Sequence, residues 1–283
     1  MRPPVLLVVA HGSRDPRHAA TVHALVRRVR SLRPGLRVET GFLDFNAPSV
    51  PRVLERLAAD AEAAGSATGR GRAGGGRPGG GTAGEVTEVV ALPLLLTRAF
   101  HAKSDIPAVL HEASVRLPRL RIRQAEVLGP SPLLLAALER RLYEAGLGPA
   151  GTRSTGLVLA SAGSTDPEAI AVIADMAREL RHTGWCAVRP AFASAVSPGG
   201  FPRTEDAVRS LRADGCARVA VAPYVIAPGR LPDRIAAGAR DADVLADVLG
   251  PSPELARLLL ERYEQALAPE LSPERSLRLG VPA

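Results

Sequence analysis

The sequence predicts an α/β fold of two tandem, doubly wound parallel-sheet domains related by internal duplication. Three observations predict it. Short uncharged apolar runs at residues 5–10 and 89–96 have the length of strands buried on both faces of a sheet. Between such runs lie stretches whose apolar residues recur at helical spacing, and alternating strand and helix means a parallel sheet. The motifs also repeat: AHGSRDP at 10–16 returns as SAGSTDP at 161–167, and VLGPSP stands verbatim at 127–132 and 248–253.

In order, residues 5–10 (VLLVVA) form the first strand, and the turn-rich HGSRDP after it suits a strand-to-helix loop. Residues 19–32 place Val22, Leu25, Val26, Val29 and Leu32 on one helical face, and Pro34 and Gly35 end that helix. A second strand spans 36–43, with Asp44, Asn46 and Pro48 in the loop beyond it. A second helix spans 50–64 around Val53, Leu54 and Leu57. Residues 65–84 (GSATGRGRAGGGRPGGGTAG) cannot bury anything and read as a disordered insertion.

The strand at 89–96 is broken only by Pro93 and opens into a polar segment with His101, Lys103 and Asp105. Ser104 or Asp105 would cap the helix at 107–115, with Pro107 in its first turn. A strand near 120–128 and a helix at 131–145 complete the first copy. In the second, GFLDFNAP (41–48) returns weakly as AFASAVSP (191–198), and Leu92-Pro93 returns as Ala222-Pro223. The spacing between copies shortens from Gly12/Gly163 to Pro93/Pro223 by about the length of the glycine-rich run, which marks that run as an insertion. The first domain is therefore residues 1–148, the second 156–268, and 269–283 a tail.

Composition narrows the function. The chain has 283 residues and a net charge of +7, but Lys103 is its only lysine, and the arginine, alanine, glycine and proline excess resembles genome bias. The charge therefore argues little for nucleic acid and is compatible with an anionic small molecule. Cys186 and Cys216 have neither metal nor disulfide spacing and read as core residues on strands of a chain in a reducing cytoplasm. No run approaches the about 20 apolar residues needed to span a bilayer, and residues 1–10 make a poor secretory leader. A soluble cytoplasmic protein, with no membrane or nucleic-acid partner, is expected.

In a doubly wound sheet the first strand lies between the second and third, and the loops at their C-terminal ends converge on one crevice. His11, Asp44 and His101 follow these three strands in turn. Two imidazoles and a carboxylate with open positions suit Fe²⁺, Co²⁺, Ni²⁺ or Zn²⁺, and imidazoles near neutrality also accept protons. The second copy has Ala162 in place of His11 and Leu231 or Pro232 near the His101 position. A structural role would be kept in both copies, so the contrast favours chemistry in the first.

AHGSRDP, GFLDFNAP and PLLLTRAFHAKSDIP, in that order, resemble the sirohydrochlorin chelatases of the class II chelatase superfamily. The resemblance covers nearly all of the first copy except the insertion. It implies a lyase that inserts Fe²⁺ or Co²⁺, with Ni²⁺ also possible, into sirohydrochlorin for siroheme or cobalamin synthesis. The family's two histidines fall on His11 and His101, and Asp44 stands where the family often has glutamate. The metal is substrate, no nucleotide is needed, and the chain accordingly lacks a P-loop. Arg14, Arg98 and Lys103 are the nearest candidates for the carboxylates of the anionic tetrapyrrole, with Ser13 first a turn or cap residue and second a binding one.

Asp105 reads as an N-cap and His111 as a surface residue, and no spacing recommends His18, His23 or His182. Two other functions compete: a non-catalytic tetrapyrrole or metal carrier on the same scaffold, and RNA binding by the arginine-glycine insertion. The insertion's lack of aromatics disfavours the latter. The second copy is expected to wall the cleft, in a monomer or a homodimer.

Overall fold

The computed structural model describes residues 3–70, 86–98, 101–194 and 201–268. In the first sheet β1 (Val5–Ala10) lies between β2 (Val38–Phe42) and β3 (Thr87–Pro93), with β4 (Leu120–Gln124) outside β3, all parallel. The second sheet repeats the order. There β5 (Thr155–Ser161) lies between β6 (Ala187–Phe192) and β7 (Arg218–Tyr224), with the short β8 (Val244–Leu245) outside β7.

Strand β1 is apolar throughout because both its faces are covered. Val5, Leu7 and Val9 meet residues of α2 (Val50–Arg70) and α3 (Ile106–Arg116). Leu6, Val8 and Ala10 join α1 (Pro16–Leu32) on the other face. In β5 the same alternation sends Val158 and Ala160 toward α6 (Thr204–Ala213) and α7 (Arg230–Gly238), and Leu157 and Leu159 toward α5 (Pro167–His182).

The predicted bounds shift where local chemistry was overlooked. Helix α1 begins at Pro16 rather than residue 19, because the Asp15 carboxylate accepts from Arg17 N at 2.9 Å and proline needs no partner at a helix start. Helix α2 continues to Arg70, so residues 65–70 are helical rather than disordered, and 71–84 of the expected insertion lie outside the described residues. A π-helical turn, His101–Asp105, precedes α3. Asp105 therefore already has helical backbone and makes no side-chain cap, contrary to expectation. Cys186 is exposed just before β6, not a core strand residue, while Cys216 is buried just before β7, with 3.9 Å between their sulfurs.

The last helix of each copy is exchanged. Helix α4 (Pro132–Glu144), from the first copy, packs on β7 of the second sheet, and α8 (Pro253–Leu267) packs on α1 and β3 of the first. The repeated VLGPSP segments are the handles. Arg262 on α8 donates to Val127 O (2.8 Å), Leu128 O (2.9 Å) and Pro130 O (3.1 Å), and Arg141 on α4 donates to Leu249 O (3.0 Å). Ser131 and Ser252, the serines of the two segments, cap the two helices. Leu255, Leu258, Leu259 and Tyr263 of α8 are fully buried, each contributing about 1.5–3 kcal/mol, so the two copies share one core.

At this seam Glu254, 6% exposed, accepts from Arg140 Nη2 at 2.6 Å and Nε at 2.9 Å. Burial pushes its carboxyl up, but the Arg140 hydrogen bonds, a backbone hydrogen bond and the charges of Arg140 and Arg257 together outweigh burial and hold it below its ordinary value. Arg140→Met should cost about 1–3 kcal/mol in urea melts at neutral pH, since a buried carboxylate loses its partner. Because the folded-state value is depressed, the wild-type advantage should be full above the ordinary carboxylate range and fade as the pH falls through it.

Candidate functional site

The site begins where β1 stops. Gly12 turns the chain at φ 95°, and a Cβ there would lie 1.9 Å from Asp44 O, so only glycine lets this loop touch the loop after β2. The two loops are stitched together: Asp44 N donates to His11 O at 2.9 Å, and Ser13 N donates to Asn46 Oδ1 at 2.8 Å. Ser13 Oγ accepts from Asp15 N at 3.1 Å, so Ser13 tightens the turn while Asp15 caps α1. His11 is thereby held half-buried on the wall of a cleft of about 620 Å³ between the two sheets.

His18 and Phe45 line the same wall. Burial first, and then the neighbouring His11, hold the His18 imidazole below its ordinary value, and its Nδ1 is buried with no hydrogen-bond partner among the described residues. The opposite wall comes from the second copy, with Ser164, Tyr224 and the 225–232 segment. Burial pushes the Tyr224 phenol up, and its hydroxyl likewise has no partner among the described residues.

The CbiX family model matches residues 5–64, 82–145 and 156–266. The chain belongs to the CbiX family. Membership bears out the resemblance to sirohydrochlorin chelatases, and the matched segments skip residues 65–81, most of the glycine-rich run. A curated relative, the sirohydrochlorin cobaltochelatase of Priestia megaterium, is 24% identical over 276 residues, covering 94% of this chain and 81% of its own. The sirohydrochlorin ferrochelatase of Bacillus subtilis (strain 168) is 28% identical over 152 residues, covering 53% of this chain and 55% of its own. Among solved structures, SirB from Bacillus subtilis with Fe³⁺ superposes with a TM-score of 0.73 at 22% identity, over 94% of this chain and 96% of that one.

Within this CbiX scaffold the predicted residues divide. His11 and Ser13 line the cleft. The backbone of His101 lies in the π-turn after β3, but its side chain is outside the described residues. Asp44 is exposed, and its Oδ1 accepts from Phe45 N at 2.8 Å. Among the described residues no three His, Cys, Asp or Glu side chains gather to hold a metal, and the expected trio includes His101.

None of the three predicted cations is among the residues that line the cleft. Arg14 lies 5.3 Å over the Phe45 ring, and Arg98 pairs with Glu126 at 3.5 Å. Lys103 reaches across to the second copy, with Nζ 2.7 Å from Asp166 and 2.8 Å from Glu168. A mirror contact links Arg17 to Asp15 (2.6 Å) and to Asp233 (2.9 Å) of the second copy. The two N-cap aspartates, Asp15 and Asp166, thus each anchor an ion bridge between copies.

Sequence reasoning missed His18, Phe45 and Tyr224. His18 follows the loop by one helical turn, so only the early start of α1 would have found it. Phe45 was hidden inside the motif that drew attention to Asp44.

Proposed function

We propose that this CbiX-family chain is an enzyme, a lyase that inserts a divalent metal into sirohydrochlorin without ATP, supplying siroheme or cobalamin synthesis in the cytoplasm. Fe²⁺ is the first metal to test and Co²⁺ the next. The observation that carries the reading is His11, held by two loop-to-loop hydrogen bonds on a cleft between the copies, with alanine at the matching position of the second copy. Family membership supports the same chemistry, and relatives named for cobalt and for iron leave both metals in play.

In this reading the cleft holds the macrocycle with its pyrrole nitrogens toward the first copy. His11 and His101 deliver the metal and take the two N–H protons, and Asp44 is the third metal contact. Arg14 and Arg98 meet substrate carboxylates, and Lys103 does so by exchanging its acidic partners. Its test is anaerobic insertion of Fe²⁺ and of Co²⁺ into sirohydrochlorin, followed by absorbance. Acceleration over the uncatalysed rate is expected. Tight macrocycle binding with no acceleration by either metal would overturn the reading in favour of a carrier.

A further inference from the structure

Phe45 breaks two rules at once. Phe42 and Phe192 are fully buried, yet Phe45 is 51% exposed, on the wall of the cleft. It is also the one non-glycine residue with positive φ among the described residues, at 59°. Asn46 N donates to Asp44 O at 2.7 Å and closes a three-residue turn around it. Such turns are rare and strained for a residue carrying a Cβ. Burial of the ring offsets little of that strain. The strain is instead imposed by the surroundings: the Asp44 carboxylate accepts from Phe45 N, and Asp44 N and Asn46 Oδ1 are tied to the His11 loop. Backbone strain held in this way marks positions whose side chain must be presented to something.

What it is presented to follows from its neighbours. The ring centroid is 6.3 Å from that of His11, inclined by 37°, and the Arg14 guanidinium stands 5.3 Å over the ring. An exposed aromatic surface between an imidazole and a cation suits a flat conjugated ligand bearing carboxylates. We infer that Phe45 is the stacking surface for the tetrapyrrole ring, setting its nitrogens beside His11 and one carboxylate at Arg14. The inference rests on the proposed chelatase reading and adds a substrate-binding residue to it.

The test compares Phe45→Gly, Phe45→Ala and Phe45→Trp in the full chain by titration with metal-free sirohydrochlorin, Co²⁺ titration without macrocycle, and thermal melting. Glycine adopts positive φ freely, so Phe45→Gly should melt no lower than wild type. It should nevertheless bind sirohydrochlorin about 5- to 20-fold more weakly, as should Phe45→Ala, while Phe45→Trp stays within about two-fold. Co²⁺ binding should not change. Wild-type affinity in Phe45→Gly would overturn the inference, as would a lowered melting temperature that accounts for the loss. A wild type that binds no sirohydrochlorin would overturn this inference and the chelatase reading together.

Discussion

His11→Ala is expected to lower the rate of metal insertion by about 100-fold or more, with folding stability changed by less than about 0.5 kcal/mol. The small stability cost is visible within the molecule. The second copy carries alanine at the matching place, Ala162, followed by Gly163 at φ 103°, in a turn built like that of Gly12. Alanine is therefore compatible with this backbone. What the substitution removes is a half-buried imidazole on the cleft wall, beside His18. Steady-state insertion rates with Co²⁺ and Fe²⁺, set beside urea melts, check both parts. Retained activity would remove His11 from the reaction.

Gly12→Ala should act through the backbone. Its Cβ would fall 1.9 Å from the Asp44 carbonyl oxygen and 3.0 Å from the carbonyl carbon, atoms that no rotamer change can move. At φ 95° the residue is strained as well. The loops must part, breaking the Asp44–His11 and Ser13–Asn46 hydrogen bonds that aim His11 and hold Phe45. The expected cost is about 2–4 kcal/mol, with insertion lost. Gly163→Ala is the control, because its Cβ would meet Ser194 Oγ at 2.0 Å, a side-chain atom that can rotate away. Urea melts of the two variants should place Gly12→Ala clearly below Gly163→Ala; equal losses would assign the effect to φ alone.

The elements that could be read in advance were those with a local cause. Residues 5–10 form β1 without adjustment, since an uncharged run of that length has few alternatives in an α/β chain. The order of strands about β1 follows from general topology, which brings His11 and the Asp44 loop together. The exchange of α4 and α8 could not be read. An apolar helical face specifies that it will be covered but not by which sheet, and the arginines that fasten the exchanged helices, Arg141 and Arg262, look like any surface cations. Phe45 was illegible for another reason: neither composition nor periodicity signals a positive φ outside glycine.

The exchanged helices bear on how such a chain is assembled. A single copy folded alone would keep α1 on that face of its sheet but leave α1 and β3 without the helix that packs beside them, and could be completed only by a second molecule donating the same helix. Folding would then depend on protein concentration. Joining two copies in one polypeptide fixes the donor at an effective concentration in the millimolar range. The second copy has lost the histidine, yet the first cannot finish its own core without α8, so inheritance of the duplicate is secured by architecture rather than by chemistry.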